Sequence, residues 1–182
     1  MRTSIVLASL IISNVAFADV KTIGLDGGVA VPTGDWADGV GFGIGALARF
    51  ETPLREKIVL TARAGYIQHM EKEAGGGEFG GGDSKSTSSQ IPFFGGIRYA
   101  FKQEATSAIY GAAELGFVMY RVSLDVGGES MSDSDTNLGM TLGAGYRTGK
   151  LDIRGGLLFP DVGEAGDAMA VMATVGYDLT SL

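Results

Sequence analysis

Apolar residues alternate with glycine and polar residues in several segments of the chain. The clearest case is residues 138–159, where two alternating arms flank the glycine-containing tripeptide at residues 148–150. A period of two is typical of a β-strand with one apolar face, and a short glycine turn between two such arms predicts a β-hairpin. The same alternation predicts six further strands, at residues 20–31, 40–50, 58–69, 91–101, 108–122 and 169–179.

The polar faces of these strands are mostly glycine with an occasional ionisable residue, a composition that suits a crowded interior rather than a water-facing surface. The apolar faces then point outward, and lipid is the solvent that accepts such a surface. Beyond the first residues no apolar run reaches the roughly 18 residues that a spanning helix needs. Short turns alternate with longer loops. The pattern therefore predicts an all-β fold, an eight-stranded antiparallel up-and-down transmembrane β-barrel.

The first residues predict export of the chain. Arg2 precedes an apolar stretch at residues 5–12, and a small-residue site at residues 16–18 follows. This arrangement predicts a signal peptide over residues 1–18 and one barrel domain over residues 19–182; a first transmembrane helix is the weaker alternative. Cysteine is absent, so disulfides and thiolate metal sites are excluded. The formal charge of −7 argues against nucleic acid as a partner.

Two sets of residues are candidate functional features. The first is a lumen charge network of both signs on the inward faces, expected at Asp26, Arg49, Arg63, Arg98, Glu114, Arg154 and Asp178. An eight-stranded interior is filled by side chains, so a salt-bridged plug is the favoured interpretation and a narrow channel for small or hydrophobic solutes is the alternative. The second is an outward aromatic girdle on the turn side, expected at Phe50, Tyr99, Phe101, Tyr146 and Tyr177.

The chain resembles the small outer-membrane β-barrels of Gram-negative bacteria, the OmpA/OmpX/OmpW-like group. The resemblance rests on the predicted signal peptide, the segment GLDGGVAVPTGD at residues 24–35, the eight amphipathic strands and the inward Arg and Glu residues. The resemblance implies a location in the bacterial outer membrane, contact with outer-membrane lipid and lipopolysaccharide, and insertion by the barrel-assembly machinery. It further implies a monomer without cofactor or enzymatic activity, in a structural or surface-interaction role.

Other chemistry is less well supported by the sequence. His69 is the only histidine, at the loop end of the third strand, and a lipid A-modifying enzyme would need a His with a Ser there; no His-x-Ser is present. Residues 80–86 lack the features of a phosphate loop. A soluble secreted barrel with a ligand cavity is a further alternative, against which the glycine-rich faces count.

Acidic residues dominate the predicted loop side. Flexible loops are expected at residues 71–90 and 124–137, and a shorter acidic loop at 161–167. A solvated surface is the favoured interpretation of the acidic residues, and sharing divalent cations with lipopolysaccharide phosphates is the alternative. The acidic residues are Asp35, Asp38, Glu71, Glu73, Glu78, Asp83, Asp125, Glu129, Asp133, Asp135, Asp161, Glu164 and Asp167.

Overall fold

Eight antiparallel strands close into a barrel in the computed structural model, which describes residues 20–70, 85–104, 106–126 and 129–181. Each strand pairs with the next along the chain, and the last strand pairs with the first. This architecture confirms the predicted fold class. The strands are β1 Thr22–Thr33, β2 Gly43–Arg55, β3 Ile58–His69, β4 Lys85–Gln103, β5 Ser107–Val126, β6 Glu129–Thr148, β7 Leu151–Phe159 and β8 Met169–Ser181.

The two faces of the barrel wall differ as the alternation predicted. Along β8, residues alternate between exposed and buried from Ala170 to Asp178. The exposed members are apolar, as Val171 and Val175 show, whereas the buried members include Thr174 and Asp178. Because successive side chains of a strand point to opposite faces, the apolar residues form an outer belt and the polar residues line the lumen.

Several strands are longer than the sequence predicted. β2 continues through Glu51, beyond the predicted end at residue 50, and β4 already begins at Lys85, inside the expected loop 71–90. β5 runs to Val126 and β6 begins at Glu129, so the expected loop 124–137 is wrong. The additional residues of β4 are polar, and so are those of β6 except Met131. Backbone pairing with β5 holds these residues extended, starting at Lys85 opposite Asp125 in β4 and at Glu129 opposite Val126 in β6. They therefore form strands without an alternation of apolar residues.

The remaining connections on the loop side are compact. A short helix, α1 Trp36–Gly39, follows β1, and a 3-10 turn at Val162–Glu164 precedes β8. Within the part of the chain that is described, no helix is long and apolar enough to cross a membrane. The expected signal peptide at residues 1–18 and residues 71–84 of the expected loop lie outside the described residues.

Candidate functional site

Ten ionisable side chains form one connected set of ion pairs inside the barrel, the lumen network. Five arginines balance five carboxylates, so the network buries no excess of either charge. The members are Arg49, Arg63, Arg98, Arg147, Arg154, Asp26, Glu51, Glu114, Asp152 and Asp178.

Arg49 of β2 occupies the centre of the network and contacts three strands. Its Nε lies 2.9 Å from Asp26 Oδ1, its Nη1 lies 3.0 Å from Glu51 Oε1, and its Nη2 lies 2.9 Å from Asp178 Oδ1. From there Arg63 continues the network, with its Nε 3.2 Å from Asp26 Oδ2 and its Nη1 3.3 Å from Glu114 Oε2. Arginine suits this position because its fork of N–H groups engages several carboxylates at once.

Glu114 of β5 is the most completely enclosed carboxylate of the network, with no exposed side-chain area. Arg154 Nη1 lies 2.9 Å from Glu114 Oε1, and Arg154 Nη2 donates to Thr141 Oγ1 at 2.9 Å. The hydroxyls of Thr61 and Thr141 donate to the two Glu114 oxygens at 2.9 and 2.8 Å. Both oxygens therefore have a hydroxyl and a guanidinium partner, which offsets the loss of water around a buried charge.

The turn end of the network is held by Asp152 of β7. Arg98 Nη1 lies 2.6 Å and Arg147 Nε 3.2 Å from Asp152 Oδ2, and the Tyr110 hydroxyl donates to Oδ1 at 2.6 Å. Arg98 also stacks on Tyr110, with 4.3 Å between the guanidinium carbon and the ring centroid. Arg147, whose side chain is 23% exposed, reaches Glu51 Oε2 at 2.6 Å and is the member nearest to solvent.

All seven inward charges expected from the sequence lie in this network, and the structure adds Glu51, Arg147 and Asp152. Alternation could have found them, because Glu51 shares the inward face of β2 with Arg49, and Asp152 shares that of β7 with Arg154. The predicted strand 40–50 ends one residue before Glu51, and β2 in fact continues to Arg55. The position of a residue in the alternation gives the face of the strand on which it lies. Its ion-pair partners depend instead on the register between strands.

Interior glycines make room for the network. A Cβ at Gly24 would lie 2.7 Å from Arg49 Nη2, and one at Gly143 would lie 3.3 Å from Arg154 Nε. A Cβ at Gly176 would clash with Asp26 Oδ1, and one at Gly145 would clash with the Tyr110 hydroxyl. The glycine-rich inward face is thus the space that the long charged side chains fill.

An apolar layer closes the lumen on the loop side of the network. On each contributing strand the apolar residue lies nearer the loops than the charged one, as Ile67 does relative to Arg63 and Val118 relative to Glu114. Trp36 of α1 packs against this layer from the loop side. The layer consists of Ala30, Ile67, Phe94, Val118, Leu158, Ala170 and Met172.

The mouth of the barrel above this layer holds His69. The residue is 1% exposed and its ring faces inward. The ring Nδ1 lies 2.9 Å from the Gly41 carbonyl oxygen, and the ring centroid lies 5.5 Å from that of Trp36. Trp36 Nε1 donates to the Tyr120 hydroxyl at 3.2 Å, which holds α1 across the opening. The histidine is therefore enclosed and does not reach the lipid-facing surface. Among the residues that are described, no three His, Asp or Glu side chains are grouped so as to hold a metal ion.

The five aromatic residues expected in the girdle lie on the outer face. Their exposed fractions run from 38% for Phe50 to 64% for Phe101. Tyr99 and Phe101 pack edge to face with their centroids 5.6 Å apart, and Lys150 Nζ lies 5.9 Å from the Tyr177 ring centroid. Aromatic rings with a nearby cation at the end of an apolar belt suit the boundary between lipid and water. The fifth member is Tyr146.

The ladder of β5 and β6 continues beyond the last pair of β6 with β7; this part, residues 119–126 and 129–136, is called the β5–β6 extension. The last pair between β6 and β7 is Met140 opposite Phe159, whereas β5 and β6 remain paired as far as Val126 opposite Glu129. On its other side β5 is covered by β4 as far as Lys85. The structure thus places a sheet, with its acidic residues on strands, where the sequence predicted a flexible loop.

Comparison with known proteins identifies the architecture. No protein-family model and no curated protein matches the chain. The solved structure of Ail, the attachment invasion locus protein of Yersinia pestis, in complex with the heparin analogue sucrose octasulfate is similar with a TM-score of 0.60 at 12% identity, over 89% of this chain and 98% of Ail. A second Ail structure gives a TM-score of 0.54 at 14% identity, over 88% and 95% of the two chains.

Neisserial surface protein A gives a TM-score of 0.47 at 16% identity, over 87% of this chain and 97% of that one. The Ail comparisons span almost the whole barrel, and Ail is itself a small outer-membrane β-barrel of eight strands. The chain therefore has the fold of the small eight-stranded outer-membrane β-barrels, the OmpA/OmpX-like architecture that its sequence resembles.

Proposed function

We propose that the chain is an integral, non-enzymatic protein of the bacterial outer membrane with a closed lumen, which presents the β5–β6 extension at the cell surface for interaction with other molecules. It is a monomer in contact with outer-membrane lipid and lipopolysaccharide, inserted by the barrel-assembly machinery. The observation that carries the proposal is the paired sheet of the β5–β6 extension, because a protein that only filled the membrane would not need it.

The membrane location is supported by the outer belt. Large apolar side chains such as Leu25, Phe117 and Val175 are about half exposed all around the barrel, an arrangement that is unfavourable in water and favourable in lipid. The likeness to Ail, which is named for attachment and invasion and was crystallised with a heparin analogue, is in line with a surface role.

Surface presentation predicts one-sided chemical labelling. The chain contains no cysteine, so Ser134→Cys in the β5–β6 extension and Lys102→Cys at the turn end each introduce a single thiol. We expect a membrane-impermeant maleimide to label Ser134→Cys in intact cells and Lys102→Cys only after the outer membrane is broken, because the two sites lie at opposite ends of the barrel. The reverse pattern would contradict the proposed orientation.

The closed lumen predicts the absence of conduction. Ions would have to cross both the apolar layer and a network in which every charge has a partner of opposite sign. We expect planar-bilayer recordings of the purified barrel to show no steady current across the voltage range that the bilayer tolerates. Steady single-channel currents that change when Phe94 of the apolar layer is replaced by alanine would instead support the narrow-channel alternative.

A further inference from the structure

The outer edge of β6 is an unpaired strand edge on a strand that β5 holds extended. Over residues 129–136, β6 pairs with β5 on one side, and no strand in the described part of the chain pairs with its other side. Apart from the ladder with β5, no backbone hydrogen bond joins these residues to another described segment. A strand held straight by one neighbour and open on the other side can accept a further strand without first being ordered.

The side chains of two aspartates accept hydrogen bonds from backbone N–H groups of this edge. The Ser134 N–H donates to Asp133 Oδ1 at 2.9 Å, and the Thr136 N–H donates to Asp135 Oδ1 at 2.8 Å. These N–H groups are therefore directed away from the ladder with β5, toward the open side. Each aspartate oxygen satisfies its N–H donor while no strand is bound, and a backbone carbonyl of an added strand can replace it. The side chains therefore limit indiscriminate strand pairing but leave the edge able to bind a strand.

The negative charge of the edge indicates which kind of strand it would bind. Asp133 and Asp135 are exposed, and neither forms an ion pair with any of the described residues. A second copy of β6 is disfavoured as the occupant, because it would place these carboxylates beside their equivalents and like charges on paired strands are destabilising. A strand with lysine or arginine at alternate positions would instead supply the two missing countercharges.

We infer that the outer edge of β6, over residues 129–136, binds an extended basic segment of another polypeptide as an added antiparallel or parallel strand. The inference rests on the proposed function, because the edge must face the outside of the cell to meet a partner. Backbone hydrogen bonds give such an added strand its affinity, and its basic side chains pair with Asp133 and Asp135 to set the register.

The test uses the full-length barrel refolded in neutral detergent and a fluorescent peptide of alternating lysine and threonine, followed by fluorescence anisotropy. A second peptide of the same sequence carries N-methyl groups on alternate backbone amides, which keep its charge and block strand pairing. We expect the first peptide to bind and the second to bind roughly tenfold or more weakly, because several backbone hydrogen bonds are lost.

Two protein variants separate the backbone from the charge. Ser134→Pro removes an edge donor that β5 does not use, so the ladder should survive while binding falls roughly tenfold. Asp133→Asn with Asp135→Asn should weaken binding, whereas the matched double change Asp38→Asn with Glu56→Gln, at exposed acidic residues away from β6, should not. A heat-dependent shift in SDS electrophoresis checks that each variant is folded.

Three results would overturn the inference. Equal binding of the N-methylated peptide, or unchanged binding by Ser134→Pro, would show that attraction is electrostatic only. Concentration-dependent dimers that Ser134→Pro abolishes would show that the occupant is a second copy of the chain. None of these results affects the labelling of Ser134→Cys in intact cells, which tests the proposed function separately.

Discussion

Replacing Glu114 by alanine is expected to destabilise the barrel by ~3–5 kcal/mol, the usual cost of removing one partner from a buried ion pair. Glu114 is the only carboxylate within ion-pair distance of Arg154 among the described residues, so the variant leaves that guanidinium enclosed with the Thr141 hydroxyl as its remaining partner. Arg63 keeps its contact with Asp26. The free energy of unfolding, measured by guanidinium titration of the barrel refolded in lipid vesicles, gives the loss.

Glu104→Ala is the matched control. Glu104 pairs with Lys102 at 2.8 Å, but the two side chains are 58% and 68% exposed, so the loss of this pair should cost only about 0–1 kcal/mol. The same residue type is thus removed from a buried and from an exposed ion pair of one protein. If the two variants lost similar, small amounts of stability, the lumen network would not be the interaction that holds the wall together.

Replacing Gly176 by valine is the second change with a large expected effect. A Cβ there would collide with Asp26 Oδ1 and approach Arg49 Nη2 to 3.2 Å, which forces apart an ion pair whose atoms are 2.9 Å from each other. Overpacking combined with a displaced buried charge should destabilise the barrel by about 3 kcal/mol or prevent refolding. Unfolding titrations and the yield of heat-modifiable protein both report the change.

Gly155→Val provides the comparison for this glycine. A Cβ at Gly155 meets no atom within 4 Å and points outward, so valine adds apolar surface on the lipid side. Because glycine weakens a strand interior, this variant should be neutral or slightly stabilising. Equal losses from both valine variants would mean that the inward glycines serve backbone flexibility rather than space for the network.

The sequence predicted the barrel wall well because lipid imposes one rule on all eight strands. An outer residue must be apolar, so alternation marks the strand and its faces together, as in the hairpin of β6 and β7. The rule fails beyond the lipid. In the β5–β6 extension, residues 132–136 of β6 are all exposed, and residues such as Ser132 and Asp133 carry no alternation that could separate a strand from a loop.

The site was predictable only in part, for a different reason. The alternation of side chains along each strand places Glu114 and Arg154 in the lumen. Their contact depends on the relative register of β5, β6 and β7, which the sequence does not reveal. The closing of the mouth by Trp36 depends on the fold of a short loop and left no periodic signal. Alternation places His69 on the same inward face of β3 as Arg63, whereas its enclosure beside Trp36 follows only from the structure.

The central claim is that this chain is a folded barrel in the outer membrane. Electrophoresis in SDS of separated membrane and periplasmic fractions, with and without boiling, tests it most directly, because a closed barrel resists SDS until it is heated. We expect the protein in the outer-membrane fraction and expect it to migrate differently after boiling. Recovery in the soluble periplasmic fraction without a heat-dependent shift would contradict it.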